Sequence, residues 1–498
     1  MRPSLIVDVR GGDPEVVVIG GGVAGMTAGA VLASRGRRVL VLEQHRVAGG
    51  CASFYQRDGY RFDVGATLVG GFGPRGVHRR LFDRLEIALE AEAVDPAMMV
   101  HLPDRTIARY GDERWGFERR RAFGLEMEPF WDAQERIADR AWDLATRLSA
   151  LPADAGTALR FVRALRPQDL MLGATAGRTV AQIFPPAASS RFRTFIDAQL
   201  LITAQAGADT ADLTYGATAL DLAREGTYHL PGGVSSIAIA LARSIRRRGS
   251  QIAYGTAAAA IETSRGAVRA VRLADGTRIV TRRVVAAVPG TNVAALVERG
   301  GGTYARAASV RSLPLRWGAF MAYVGLPSGV VPDDLALHHQ LVRDADAPLG
   351  EGNSTFLSLS PPGEAARARN GGRAVTISTH TDVARWERAF DEGRDAALRQ
   401  RYGAELLAAL DRVVPGAAAR AEMIAFATPH TFARYTGRSR GLVGGVPQTV
   451  AFANLRAQTH RSGIEGLVLA GDTVFPGQST VGASISGAAA ADAVQGWF

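Results

Sequence analysis

The chain has 498 residues, of which 47% are hydrophobic and 21% charged, and carries a formal net charge of +10 at pH 7. That length points to two or three domains rather than one core, and the composition is that of a folded globular protein. The lone Cys51 excludes an intrachain disulfide and a cysteine-built metal site, and because all 58 basic residues are arginine no lysine Schiff base or lysine general base can operate.

Residues 1–13 read as a ragged tail. They lack a basic region followed by a short apolar segment and a cleavage site, so a secretory signal is not expected, and the single cysteine suits a reducing cytoplasm. The arginine excess has two readings. One is base composition, which alanine runs such as 257–260 share; the other is attraction to an anionic membrane surface. The arginines are scattered, with short clusters at Arg119–Arg121 and Arg246–Arg248, so nucleic acid is not an expected partner.

Residues 16–34, VVVIGGGVAGMTAGAVLAS, run for nineteen positions without a charge, long enough to cross a membrane. Glycines at 20, 21, 22, 25 and 29 argue for something else. EVVVIG is a β-branched run of the kind that makes a buried parallel strand. Gly20, Gly22 and Gly25 then space as G-x-G-x-x-G: a tight turn, a close backbone approach for pyrophosphate, and a helix packed tightly on the strand. RRVLVLE at 37–43 is the next strand, and it ends in Glu43, where a carboxylate meets a ribose hydroxyl pair. Together these predict a dinucleotide-binding strand–turn–helix rather than a membrane span.

Gly49 and Gly50 offer a second place for backbone to approach phosphate, and GYRFDVGAT at 59–67 predicts an extended segment and a turn at Gly65. TYHLPGGVSSIAIALARSIRRRG at 227–249 reads as a strand end, a glycine turn and an amphipathic helix. Alternating strands follow, with a hairpin turn at Asp275–Gly276. Near the end, GLVLAGD predicts a strand running to Asp472, and VGASISGAAAADAV a helix from about Val481, with Gly482 in its first turn.

These motifs resemble the signature of the large FAD-dependent oxidoreductase superfamily that includes amine oxidases and carotenoid desaturases. The implied fold is α/β: a Rossmann-type FAD-binding domain from 14–80, 225–300 and 455–498, with a discontinuous α+β substrate domain from 81–224 and 301–454. The resemblance implies FAD held by Gly20, Gly22, Gly25, Glu43, Gly49, Gly50, Gly65, Asp472 and Gly482, with backbone near Ala258 approaching the adenine and the last helix aimed at the flavin. The paired-glycine motif of that superfamily is usually followed by Arg; here Cys51 stands in its place, which resembles the carotenoid desaturase and isomerase branches. ATPHTFARYTGRSRGLVGGVPQ at 427–448 is similar to a segment of carotenoid C-3′,4′ desaturases and isomerases.

The resemblance implies a long polyene substrate and an FAD-dependent desaturase, with carotenoid cis–trans isomerase as the alternative. An amine oxidase, or a lipid- or prenyl-binding protein without catalysis, are weaker readings. Quinone or oxygen is the expected electron acceptor, and a peripheral place on the membrane from the cytoplasmic side is expected. FVRALRPQDLML at 161–172 or RFRTFIDAQLLI at 191–202 would lie in the interface. No acid–base constellation stands out; His229, Arg434 and Tyr435 are the candidates, and catalytic residues stay unassigned.

Overall fold

Val16–Ile19 and Val39–Glu43 form the expected strands, and every residue in them is buried. The computed structural model describes residues 13–148, 151–152 and 155–496, so positions 1–12 of the expected tail lie outside it. Three later strands complete an all-parallel sheet in the order 467–469, 284–286, 16–19, 39–43, 251–254. Strands from three distant stretches of sequence thus pair side by side.

Between the first two strands runs the helix Val23–Ser34, only 12 residues long, and Val23 through Ala33 are all buried. It is apolar all round because it is covered all round. Gly29 faces Ile245 of the helix Ser236–Arg247, and a methyl on Gly487 would overlap the Ala24 carbonyl, so the C-terminal helix Thr480–Gln495 meets it backbone to backbone. Among the described residues no helix is long and apolar enough to cross a membrane. The hairpin turns at Asp275–Gly276, inside a small antiparallel sheet of 258–264, 267–273 and 278–280.

A second, seven-stranded sheet has the order 423–427, 317–326, 373–382, 354–359, 338–342, 98–101, 106–109. Its neighbours are antiparallel except 338–342 with 98–101. The remainder of 81–224 is mainly helical, and the long helices Glu128–Arg147 and Ser190–Ala204 meet around an aromatic core. Trp131 sits edge-on to Trp115, Phe130 and Phe192.

That core corrects one expectation. The stretch 191–202 does not lie in a membrane interface: Phe192, Phe195, Ile196 and Leu200 are wholly buried, because the aromatic face of this helix is filled by Phe123, Phe130 and Trp131.

A buried polar cluster fastens the parallel-sheet region to the loop before strand 373–382. Asp63 pairs with Arg367 at 2.9 Å, both side chains under a tenth exposed, and accepts the Val234 N–H at 2.9 Å. Glu364 accepts the Gly232 N–H at 2.6 Å and lies 3.2 Å from the His229 imidazole. His229 is therefore a latch residue, not part of a reacting constellation. Arg367→Met should destabilise the fold by about 3–5 kcal/mol, because it leaves the Asp63 carboxylate buried and unpaired; denaturant unfolding monitored by tryptophan fluorescence measures this.

Candidate active site

The parallel strands deliver their C-terminal ends to one cavity of about 1530 Å³, larger than the usual few hundred to about 1,000 Å³ of a small-ligand pocket. Gly20 follows the first strand, Glu43 ends the second, and Ala287 and Gly471 follow two more; all four line the cavity. This is where open parallel sheets place their ligands.

The glycines do different work. At Gly20 the backbone takes φ +101°, and a methyl would press on the Ala287 carbonyl at 2.6 Å. At Gly25 a methyl would overlap the Gly20 carbonyl oxygen, so only glycine lets the helix seat against the strand end. Gly22 differs: a methyl there would meet nothing closer than the Gly49 carbonyl oxygen at 4.0 Å. The protein's own packing leaves that space open, and Gly22 caps the helix with no side-chain bond, so first-turn N–H groups face the cavity. Such a cradle fits a phosphate group.

Glu43 is fixed by its two ends. One carboxylate oxygen accepts the Gly21 N–H and the other the His45 N–H, each at 2.7 Å. Burial raises its pKa, and those two N–H donors oppose the rise. Each oxygen keeps lone-pair capacity for a further donor such as a ribose hydroxyl. Gly49 donates its N–H to the Gly21 carbonyl at 2.8 Å, and a methyl on Gly50 would come within 3.4 Å of Gly22 Cα, which brings the paired glycines against the first turn.

From the other end of the chain come Asp472 and the helix at Thr480, capped by the Ser479 hydroxyl, which accepts the Gly482 N–H at 2.9 Å. The cavity thus brings together Gly20, Gly22, Glu43, Gly49, Gly50, Gly65, Asp472 and Gly482, with Gly25 directly beneath. Ala258 is not brought there. It opens the strand Ala258–Ser264 and packs against the apolar cluster under the sheet. Of the middle segment, Ala287, Val288 and Pro289 reach the cavity instead.

Among the acid–base candidates, only Tyr435 lines the cavity, at its rim and half exposed. Arg434 points to the surface and stacks over the Tyr435 ring. Two residues that the sequence did not single out are there. Arg438 pairs with Asp472 at 2.9 Å, and His380 lies on the roofing strand Arg373–Asp382. Burial lowers the His380 pKa to about 4, so its imidazole is neutral near pH 7. Strand register puts Ala319 opposite His380 and Met321 opposite Ser378, and these residues form one wall. Which face of strand 317–326 meets the cavity depends on the sheet order.

The lining also includes the apolar side chains Trp142, Leu148, Phe161, Leu165 and Leu172. Outside the same segment, Leu159, Val162 and Leu170 are 50%, 64% and 73% exposed, beside the exposed Arg160, Arg163 and Arg166. Phe161, Leu165 and Leu172 thus line the cavity from the same stretch that exposes Leu159, Val162 and Leu170.

A parallel sheet with a glycine turn, a strand-terminal carboxylate and a late helix converging on one chamber defines an FAD-dependent oxidoreductase. The chain belongs to the flavin containing amine oxidoreductase family, whose pattern matches residues 23–495. It is 25% identical to the chloroplastic prolycopene isomerase of Daucus carota over 96% of this chain and 79% of that one. It is 27% identical to the phytoene dehydrogenase of Streptomyces griseus, covering 99% of this chain and 97% of that one. An oxidoreductase from Methanosarcina mazei shares the fold, with a TM-score of 0.63 at 16% identity over 95% of this chain and 98% of that one.

Substitutions at the two helix glycines should separate cradle from scaffold. Gly22→Val should leave circular dichroism near wild type, and melting near that of flavin-stripped wild type, while the purified protein loses its bound flavin absorbance. Gly25→Val should abolish soluble, folded protein.

Proposed function

We propose that the chain is an FAD-dependent desaturase of a long, carotenoid-type polyene, removing two hydrogens from a C–C bond next to the conjugated system, with the 3′,4′ bond the first choice. The observation that carries this reading is the shape of the cavity. Its glycine lining suits a dinucleotide, and its volume of about 1530 Å³ leaves room for a second, apolar molecule against Trp142, Leu148, Phe161, Leu165 and Leu172. A phytoene dehydrogenase and a prolycopene isomerase among the relatives support the substrate class.

In this reading Gly20, Gly22, Gly25, Glu43, Gly49, Gly50 and Gly65 of segment 14–80 and Asp472 and Gly482 of 455–498 hold FAD, and 225–300 completes the cofactor-binding unit with Ala287, Val288 and Pro289. Bound FAD supplies a two-electron acceptor for the hydride, and quinone or oxygen takes those electrons onward. The chain's own residues position the polyene and exclude water. Ala319 and Met321 give an apolar wall, so charge that develops on the substrate is spread by its own conjugation. The His380 imidazole on the same wall is neutral near pH 7, so it adds no charge beside the polyene.

A second reading, cis–trans isomerisation without net oxidation, is favoured by the match to prolycopene isomerase across 96% of the chain. Expression in cells that accumulate one defined carotene, followed by mass spectrometry, separates the two. Desaturation should give a product lighter by two hydrogens, and isomerisation one of unchanged mass with altered retention. Unaltered carotene of every type supplied would overturn both.

A substrate dissolved in a bilayer calls for a protein docked on it, here from the cytoplasmic side. Segment 155–175 suits that role, with apolar side chains exposed between arginines that meet anionic headgroups. The protein should float with anionic liposomes at low salt. Leu159→Glu with Val162→Glu should lose flotation at unchanged flavin content, and flotation equal to wild type would rule this surface out.

A further inference from the structure

The loop after helix Pro429–Thr436 carries an arginine into the cavity from an unexpected direction. Gly437 packs against the Gln44 side chain, just beyond Glu43, and Asn292 donates to the Gly437 carbonyl at 2.8 Å. Gly445 packs on the Asp472 backbone. The loop is thus wedged between the end of the second strand and the strand-terminal Asp472. Arg438, at its start, lines the cavity with its side chain only 13% exposed.

Its guanidinium is held at two points and open at a third. Nε donates to the Leu442 carbonyl at 2.5 Å, and Nη2 lies 2.9 Å from an Asp472 carboxylate oxygen. Nη1 has no hydrogen-bond partner among the described residues. The residue beside it on the cavity wall is Cys51, directly after the paired glycines, and this thiol lies close enough to feel the Arg438 charge. Burial pushes the Cys51 thiol up, so the position that follows Gly50 carries no charge near neutral pH. The glycine-turn end of the cavity contains the carboxylates Glu43 and Asp472. A dianionic pyrophosphate entering there needs a compensating cation.

We propose that Arg438 is that cation: a cofactor-positioning residue that holds the FAD pyrophosphate from the C-terminal loop, in place of a charge on the paired-glycine segment, where Cys51 stands. Asp472 fixes its fork, so the open Nη1 edge is preset rather than ordered on binding. This inference rests on the assignment of FAD to the cavity.

The test uses full-length protein stripped of flavin and titrated with FAD by fluorescence quenching. Arg438→Gln should weaken FAD binding about 10- to 100-fold, the size expected for losing a hydrogen bond to a charged group. The FAD Kd of the wild type should rise steeply with salt, and that of Arg438→Gln much less. Arg438→Lys, which keeps the charge but not the fork, should fall between them. Cys51→Arg combined with Arg438→Gln should recover most of the lost affinity, which a merely structural role for Arg438 would not allow. If Arg438→Gln misfolds, as judged by circular dichroism, Arg438→Lys carries the test, and wild-type FAD affinity in it would overturn the proposal. Wild-type affinity and salt dependence in Arg438→Gln, or no recovery in the double variant, would overturn the proposal. A wild-type protein that never takes up FAD would overturn the cofactor assignment itself, a distinct result.

Discussion

The cavity depends on one close approach, that of the helix Val23–Ser34 to the end of the strand before it. Any side chain at position 25 would drive the helix start away from the Gly20 carbonyl. With glycine there, the Gly21 N–H reaches the Glu43 carboxylate at 2.7 Å and the Gly21 carbonyl accepts from Gly49 at 2.8 Å. Two strands, one helix and the following loop are thereby locked at a single point. The free N–H groups of the helix start become one wall of a chamber rather than a solvated surface. The opposite face of the helix, small along its length, lets Gly487 of the C-terminal helix press on Ala24. The same contact fixes where Thr480 and its neighbours enter the cavity.

Electrostatics divide the chamber into two. The end near the strand termini holds Glu43, Asp472 and Arg438, each anchored by hydrogen bonds or an ion pair. The far end, under 155–175, is lined by Trp142, Phe161, Leu165 and Leu172. The wall between them is a sheet face whose polar members are neutral side chains such as Ser378 and His380. The lining thus sets charged groups at the strand ends beside uncharged side chains along the sheet face.

Residues 16–50 were legible because their signals are local. Glycine spacing, a β-branched run and a terminal acid are constraints of the backbone itself, and the strand at 467–469 and helix at 480–495 show the same kinds of signal. Residues brought together only by tertiary packing were not legible. Arg438 is one of 58 arginines, and nothing in RYTGRSRG says which of them turns inward. His380 is one position in a strand whose cavity face is defined by its neighbours 317–326 and 354–359. Amphipathic pattern also failed to distinguish a helix against lipid from one against protein. The stretches around 161–172 and 191–202 both mix arginine with apolar residues, and only the aromatic side chains across from Phe192 and Phe195 decide the second.

The order of strands in the parallel sheet also governs when the protein can mature. The edge strand 467–469 pairs with 284–286, and the helix behind it covers the helix that starts at Val23. These pieces leave the ribosome hundreds of residues after the glycine turn they complete. Until then the turn is exposed on a partial sheet, with Asp472, the partner of Arg438, still unmade. The chamber is therefore completed late in biosynthesis, and a chain stalled before Leu467 would present the glycine turn with no chamber around it.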